Sequence, residues 1–144
     1  MTTIETGARR TVVVFSCDAF NTSEERPYFL NPGCYGDDVA AALIAALRTQ
    51  GIATDDAPDQ EDFGWYFDFD VSEPHSFVIG YRPASGAQPG VWIGSVERAR
   101  GFVGSLLGRR RHGVRAEALR AVHEAVSALP QVSAIAWHAE GESF

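Results

Sequence analysis

A cysteine and a tyrosine stand between two glycines in the stretch NPGCYGDD, residues 31–38, just before a helical pattern. A thiol near a helix N-terminus can be activated as a nucleophile, which would make Cys34 a catalytic residue. Against this, Asp37 and Asp38 follow within four residues and disfavour the thiolate. A catalytic thiol also needs a base, and all four histidines are far from it in sequence. The residue types favour a shaped turn in which Tyr35 packs, with a reactive thiol as the alternative.

A pair of carboxylates, Glu61 and Asp62, opens the second unusual stretch, EDFGW, residues 61–65. Such pairs can transfer protons or bind a metal ion. The spacing fits no calcium loop, and the chain has neither an HExxH motif nor paired CxxC motifs. We therefore expect no metal site and no cofactor. The remaining interpretations are a solvated acidic loop anchored by Phe63 and Trp65, or an acidic binding surface.

The charge of the chain excludes some classes of protein. All twelve basic residues are arginine, so neither a Schiff-base lysine nor a phosphate-loop lysine exists. The net charge of -7 disfavours a nucleic-acid partner and favours a basic protein partner. The segment Thr54–Glu73 holds eight carboxylates and no base, and the basic cluster RRRHGVR, residues 109–115, could pair with it.

Composition also indicates the compartment. Two cysteines do not make a disulfide framework, and the N-terminus lacks the apolar stretch of a secretory signal. No apolar run approaches the ~20 residues needed to cross a bilayer. We expect a cytoplasmic protein with reduced thiols and no membrane association, and the sequence does not indicate its oligomeric state.

The pattern of elements predicts an α+β fold. Apolar periodicity predicts two main helices, residues 37–50 and 115–129, with a short helical segment at residues 101–108. Strand patterns precede the first helix, follow it three times and close the chain. We expect one domain, residues 1–144, with residues 1–10 loose. Its fold would be a two-layer sandwich: a mostly antiparallel sheet of about five strands with both helices on one face and one pairing that could be parallel.

Alternation in the stretch GWYFDFDV, residues 64–71, predicts which side chains are buried. Side chains on a strand point to opposite faces in turn. Trp65, Phe67 and Phe69 should therefore face the core, with Asp68 and Asp70 outward.

Two hypotheses of function remain. The first is a non-enzymatic protein-binding module, like bacterial immunity or antitoxin proteins in size and charge, that binds a partner through its acidic face. The second is a small enzyme or ligand-binding domain with a pocket between the two unusual loops, which would have to converge at one end of the sheet. The candidate catalytic residues are Cys34, Glu61 and Asp62, and the candidate binding residues are Tyr35, Asp37, Asp38, Glu61, Asp62 and Trp65.

The two motifs NPGCYGDD and EDFGW, taken together, resemble a pattern in small uncharacterised bacterial proteins. The resemblance covers residues 31–65. It implies a stand-alone bacterial domain and implies no activity.

Overall fold

The computed structural model describes residues 10–30, 33–62, 64–99 and 113–141. Two helices and six strands make up this part of the chain. Helix α1 spans Asp37–Thr49 and helix α2 spans Ala116–Ser127. The strands are β1 (Arg10–Cys17), β2 (Asp59–Glu61), β3 (Gly64–Val71), β4 (Glu73–Arg82), β5 (Val91–Arg98) and β6 (Val132–Ala139).

The strands form one sheet in the order β2-β3-β4-β5-β1-β6, and every pairing is antiparallel. The α+β class and the antiparallel sheet are thus confirmed. The pairing that could have been parallel, that of β1, is antiparallel as well, because β1 lies between β5 and β6, and both run opposite to it. The sheet has six strands rather than about five, since the acidic tripeptide Asp59–Glu61 pairs with the start of β3.

The predicted alternation in β3 is confirmed. Trp65, Phe67 and Phe69 are at most 4% exposed and belong to the core cluster. Asp70 is exposed, and Asp68 accepts a hydrogen bond from the hydroxyl of Ser76 (2.5 Å). The strand register continues this buried apolar face onto the neighbouring strands, since Phe67 lies opposite Phe77 and Phe77 opposite Val96. Burying these rings supplies a large share of the hydrophobic driving force, at about 1.5–3 kcal/mol for each fully buried side chain.

Both helices contribute to this cluster through one apolar stripe each. In α1 the stripe includes Val39, Leu43 and Leu47, whose spacing of four residues places them on one side of the helix. In α2 the stripe includes Val122 and Val126. The helices contact each other, and both contact β3. Their stacking as a second layer over the sheet stays a prediction.

Several features of the sequence fall outside the described residues. These include the helical segment expected at residues 101–108, most of the basic cluster at residues 109–115 and nearly all of the N-terminal residues expected to be loose. Among the residues described, no helix has the length and apolar character that crossing a membrane requires.

Candidate functional site

The two unusual loops meet at one end of the sheet, as expected. The thiol of Cys34 donates to the carbonyl oxygen of Asp62 (3.4 Å). In return, the indole N–H of Trp65 donates to the carbonyl oxygen of Cys34 (2.8 Å). We call this region the loop junction and define it as residues 28–30, 33–38, 59–62 and 64–65.

Glycines allow the two loops to approach this closely. A side chain on Gly64 would place its Cβ only 2.2 Å from the carbonyl oxygen of Ile79 on the neighbouring strand. Gly36 has φ +138, a conformation that L side chains rarely adopt, and a Cβ there would lie 3.3 Å from the ring of Trp65 and 3.6 Å from the ring of Trp92. One glycine of each motif, Gly36 and Gly64, thus allows the backbone to pack closely against a ring or a strand.

Four aromatic rings fill the junction: Tyr28, Phe29, Tyr35 and Trp65. Phe29 lies at the centre, with ring centroids 5.5 Å from Trp65 and Tyr28 and 6.1 Å from Tyr35. Tyr28 also meets Trp65 edge-on at 6.2 Å. Such pairs contribute about 0.5–1.5 kcal/mol each beyond their buried area. Tyr35 therefore packs against Phe29 and the core cluster.

Asp37 is buried at the junction and belongs to an internal network. Gly36 is the N-cap of α1, and no side chain caps the helix. The Asp37 carboxylate instead accepts a short hydrogen bond from the hydroxyl of Tyr28 and lies 3.4 Å from Nε of Arg26. That hydrogen bond to Asp37 raises the pKa of Tyr28, with burial adding to the effect. Asp37 therefore fixes the position of Tyr28.

Asp38 ties the long connector to the helix. Its carboxylate accepts from the backbone N–H groups of Asn21 and Val39, both at 2.9 Å. A carboxylate in the first turn is also favoured by the helix dipole. Asp38 thus holds the connector where Tyr28, Phe29 and Leu30 reach the junction.

The side chain of Gln60 clamps the segment 28–30. Its amide oxygen accepts from the backbone N–H of Leu30 (2.6 Å), and its amide nitrogen donates to the carbonyl oxygen of Tyr28 (2.8 Å). Although the segment is held in place, its apolar side chains reach the solvent. Leu30 is 77% exposed and Tyr28 is 54% exposed, and they are the two large exposed hydrophobic residues of the described chain.

The candidate catalytic residues do not form a recognisable catalytic arrangement. Cys34 bonds to the main chain of Asp62, while Asp62 itself is exposed and Glu61 lies in β2 opposite Gly64. His75 bonds to main-chain atoms of Glu73 and Arg115, and His123 bonds to Trp137, so neither serves as a base for the thiol. Within the described residues, no group of three or more His, Cys, Asp or Glu side chains could hold a metal ion.

A cavity of about 490 Å³ lies elsewhere, on the sheet face turned away from the core cluster. Its lining residues include the apolar Val12, Val78 and Ile93 and the acidic Glu97 and Glu140. None of its lining residues belongs to the loop junction.

The acidic segment Thr54–Glu73 is partly neutralised. Glu73 pairs with both Arg98 and Arg115, each at 2.5 Å, and Asp56 pairs with Arg48 at 2.9 Å. Asp59 and Asp62 are exposed, and both lie in the loop junction. This end of the molecule therefore presents negative charge beside the exposed Leu30.

Sequence reasoning missed Tyr28, Leu30 and Gln60. The apolar triplet Tyr28-Phe29-Leu30 in an otherwise polar connector was the available indication, while the clamp by Gln60 depends on β2 and leaves no trace in the pattern. Comparison of the chain with protein-family models, with curated proteins and with solved structures finds no match. The resemblance to small bacterial proteins thus stays a prediction.

Proposed function

We propose that the protein is a non-enzymatic protein-binding module whose contact surface is the loop junction. The observation that carries the proposal is a pair of exposed apolar side chains on a fixed backbone. Leu30 and Tyr28 protrude from a segment that Gln60 clamps and Phe29 anchors. Exposed apolar side chains are common singly, whereas two on one short segment that dedicated contacts hold in place favour a binding surface.

Fixing the segment in advance would strengthen binding. A flexible loop loses conformational entropy when a partner immobilises it, whereas a preorganised loop has already lost that freedom on folding. Tyrosine also contributes strongly to binding when a partner covers its ring. Tyr28 and Leu30 would form the centre of the contact. The buried Asp37 and Trp65 would hold Tyr28 in position through a hydrogen bond and a ring contact.

The charges beside this centre indicate the partner. Asp59 and Asp62 are exposed in the same junction, and the whole chain carries a net charge of -7. We infer a basic protein partner that offers an apolar pocket, drawn in by the acidic surface. In size, charge and mode of binding the protein would be similar to bacterial immunity or antitoxin proteins. A cytoplasmic location fits two free cysteines, Cys17 and Cys34.

The alternative, an enzyme or ligand-binding domain with a pocket between the loops, has less support. The space between the loops holds the rings of Phe29, Tyr35 and Trp65. The thiol of Cys34 is engaged with a main-chain carbonyl rather than with a base.

A photo-crosslinking amino acid in place of Leu30 tests the proposal in cells that naturally make the protein. The control carries the same amino acid at Glu124, an exposed position on α2. We expect a discrete adduct with a basic protein from position 30 and none from position 124. Identical adducts at both positions, or no protein adduct at position 30, would overturn the proposal.

A further inference from the structure

His75 is a fully buried titratable group that the proposed function does not use. It lies on β4, and its ring stacks on Phe69 with centroids 5.7 Å apart. Register places Phe69 on one side of it and Arg98 on the other. Its environment is therefore apolar toward the core and cationic toward β5.

Both ring nitrogens of His75 have main-chain partners, and these partners determine the charge of the ring. The Nδ1 atom lies 2.7 Å from the carbonyl oxygen of Glu73, which can only accept, so Nδ1 carries the proton. The backbone N–H of Arg115 points at Nε2 (3.2 Å) and can only donate, so Nε2 must be unprotonated. The ring is thus neutral.

Arg115 is the residue at which α2 begins. It is the N-cap, and its carbonyl oxygen accepts from the N–H groups of Ala118 and Leu119 in the first turn. The bond to His75 therefore joins the start of α2 to the sheet. Val114, which precedes it, is 4% exposed and packs in the core cluster, so the chain just before α2 is also held against the core.

A proton on Nε2 would break this join, because two N–H groups would then face each other. The neighbouring charges come from three elements. Glu73 on β4 favours a charged ring, while Arg98 on β5 and Arg115 before α2 oppose it. Burial is the largest influence and lowers the pKa of His75, so the folded protein resists protonation.

We propose that His75 is an acid-sensitive latch, and that its protonation weakens the attachment of the N-terminal end of α2 to the sheet, where the ion pair between Arg115 and Glu73 remains. The direction of the pH dependence follows from the difference in proton binding between the two states. The released state binds the proton at the ordinary histidine pKa of about 6.5, whereas the latched state resists it. The latch is therefore fully closed above that pH and weakens progressively as the pH falls below it.

NMR of the full-length protein between pH 7.5 and 4.5 tests the latch by following the His75 ring and the amide of Arg115 together. We expect the amides of Ala118 and Leu119, which donate to the carbonyl oxygen of Arg115, to lose protection from hydrogen exchange as the pH falls. After correction for intrinsic rates, the loss should be up to about tenfold per pH unit, the slope of a one-proton step. The amides of α1 should keep their protection over the same range.

Two variants separate His75 from the other histidines. His75→Gln should remove the pH dependence, and His123→Gln, at an exposed position on α2, should retain it. If His75→Gln does not fold, the wild-type spectra decide alone. Protonation of the His75 ring without a change at Arg115, or loss of protection in α2 while the ring stays neutral, would overturn the proposal.

Discussion

The close packing of the loop junction against the sheet requires a glycine at position 64. A Cβ there would lie 2.2 Å from a carbonyl oxygen of the central strand β4, which cannot move without disturbing the sheet. We expect Gly64→Ala to lower the free energy of unfolding by about 1–3 kcal/mol, the usual cost of overpacking. Urea denaturation measures the loss.

Gly86→Ala is the control for that measurement. Gly86 has φ +57 but no atom within 4 Å of a built Cβ, so its substitution carries only a backbone penalty of about 1 kcal/mol. A smaller loss at Gly64 than at Gly86 would show that the close approach at the junction is not rigid.

Gln60 is the residue that fixes the exposed segment. Removing its side chain in Gln60→Ala deletes two hydrogen bonds to the backbone of Tyr28 and Leu30. We expect exchange of the Leu30 amide to speed up about fivefold, which corresponds to the ~1 kcal/mol net value of a hydrogen bond. Gln50→Ala, which deletes a bond to Ala121 instead, should leave that amide unchanged. Equal exchange at Leu30 in all three proteins would contradict the clamp.

The candidate site was partly accessible from residue types. The loops NPGCYGDD and EDFGW were identified by glycines and aromatics, and both do pack together. The roles within them were not accessible, since the burial of Asp37 depends on Tyr28 and Arg26 from a distant part of the connector. Sequence patterns report which face of an element is apolar and not which loop will cover it.

At the scale of elements, Glu73 links three parts of the fold. It stands at the start of β4 and pairs with Arg98 at the end of β5 and with Arg115 at the start of α2. The hydrogen bond from Arg115 is the main cause that lowers the pKa of Glu73 below its usual 4.5. These ion pairs are therefore complete near neutral pH and disappear when the carboxylate is protonated.

The comparison of wild type with Glu73→Gln measures this link. A carboxylate whose pKa is lowered by folding stabilises the folded state above its unfolded pKa and loses that effect as the pH falls. We expect wild type to have the higher urea midpoint at pH 7, and the two midpoints to converge as the pH drops below about 4.5. A difference that persists at pH 3 would mean that the effect of the substitution is not electrostatic.

Helices and strands with a clear period of apolar residues were predictable, whereas a strand that forms only because a neighbouring strand pairs with it was not. Both helices and the strands around Phe67 and Phe77 follow their apolar patterns. Strand β2 has the sequence DQE, which has no strand preference, and exists because β3 offers it a partner. The placement of β1 between β5 and β6 depends on long-range contacts that local patterns do not encode.

At the scale of the whole molecule, charge should set the speed of binding. Asp59 and Asp62 lie at the proposed contact, whereas Glu117 and Glu124 are exposed on α2. We expect Asp59→Asn with Asp62→Asn to slow association with a basic partner at low salt by up to about tenfold. Glu117→Gln with Glu124→Gln, the control of equal net charge, should slow it less. Stopped-flow rates over a salt series measure both, and equal slowing would leave net charge, not the junction, as the cause.

The most direct test of the central claim is the affinity of a purified partner for Leu30→Ser. Leu30 is 77% exposed, so the change should leave the free energy of unfolding almost unaltered. A central binding residue contributes about 2 kcal/mol or more, so we predict that calorimetry will find a Kd roughly thirtyfold weaker or more. Ala136→Ser, an apolar-to-polar change at an exposed position on β6, should bind like wild type. A Kd for Leu30→Ser equal to that of wild type would contradict the proposed contact surface.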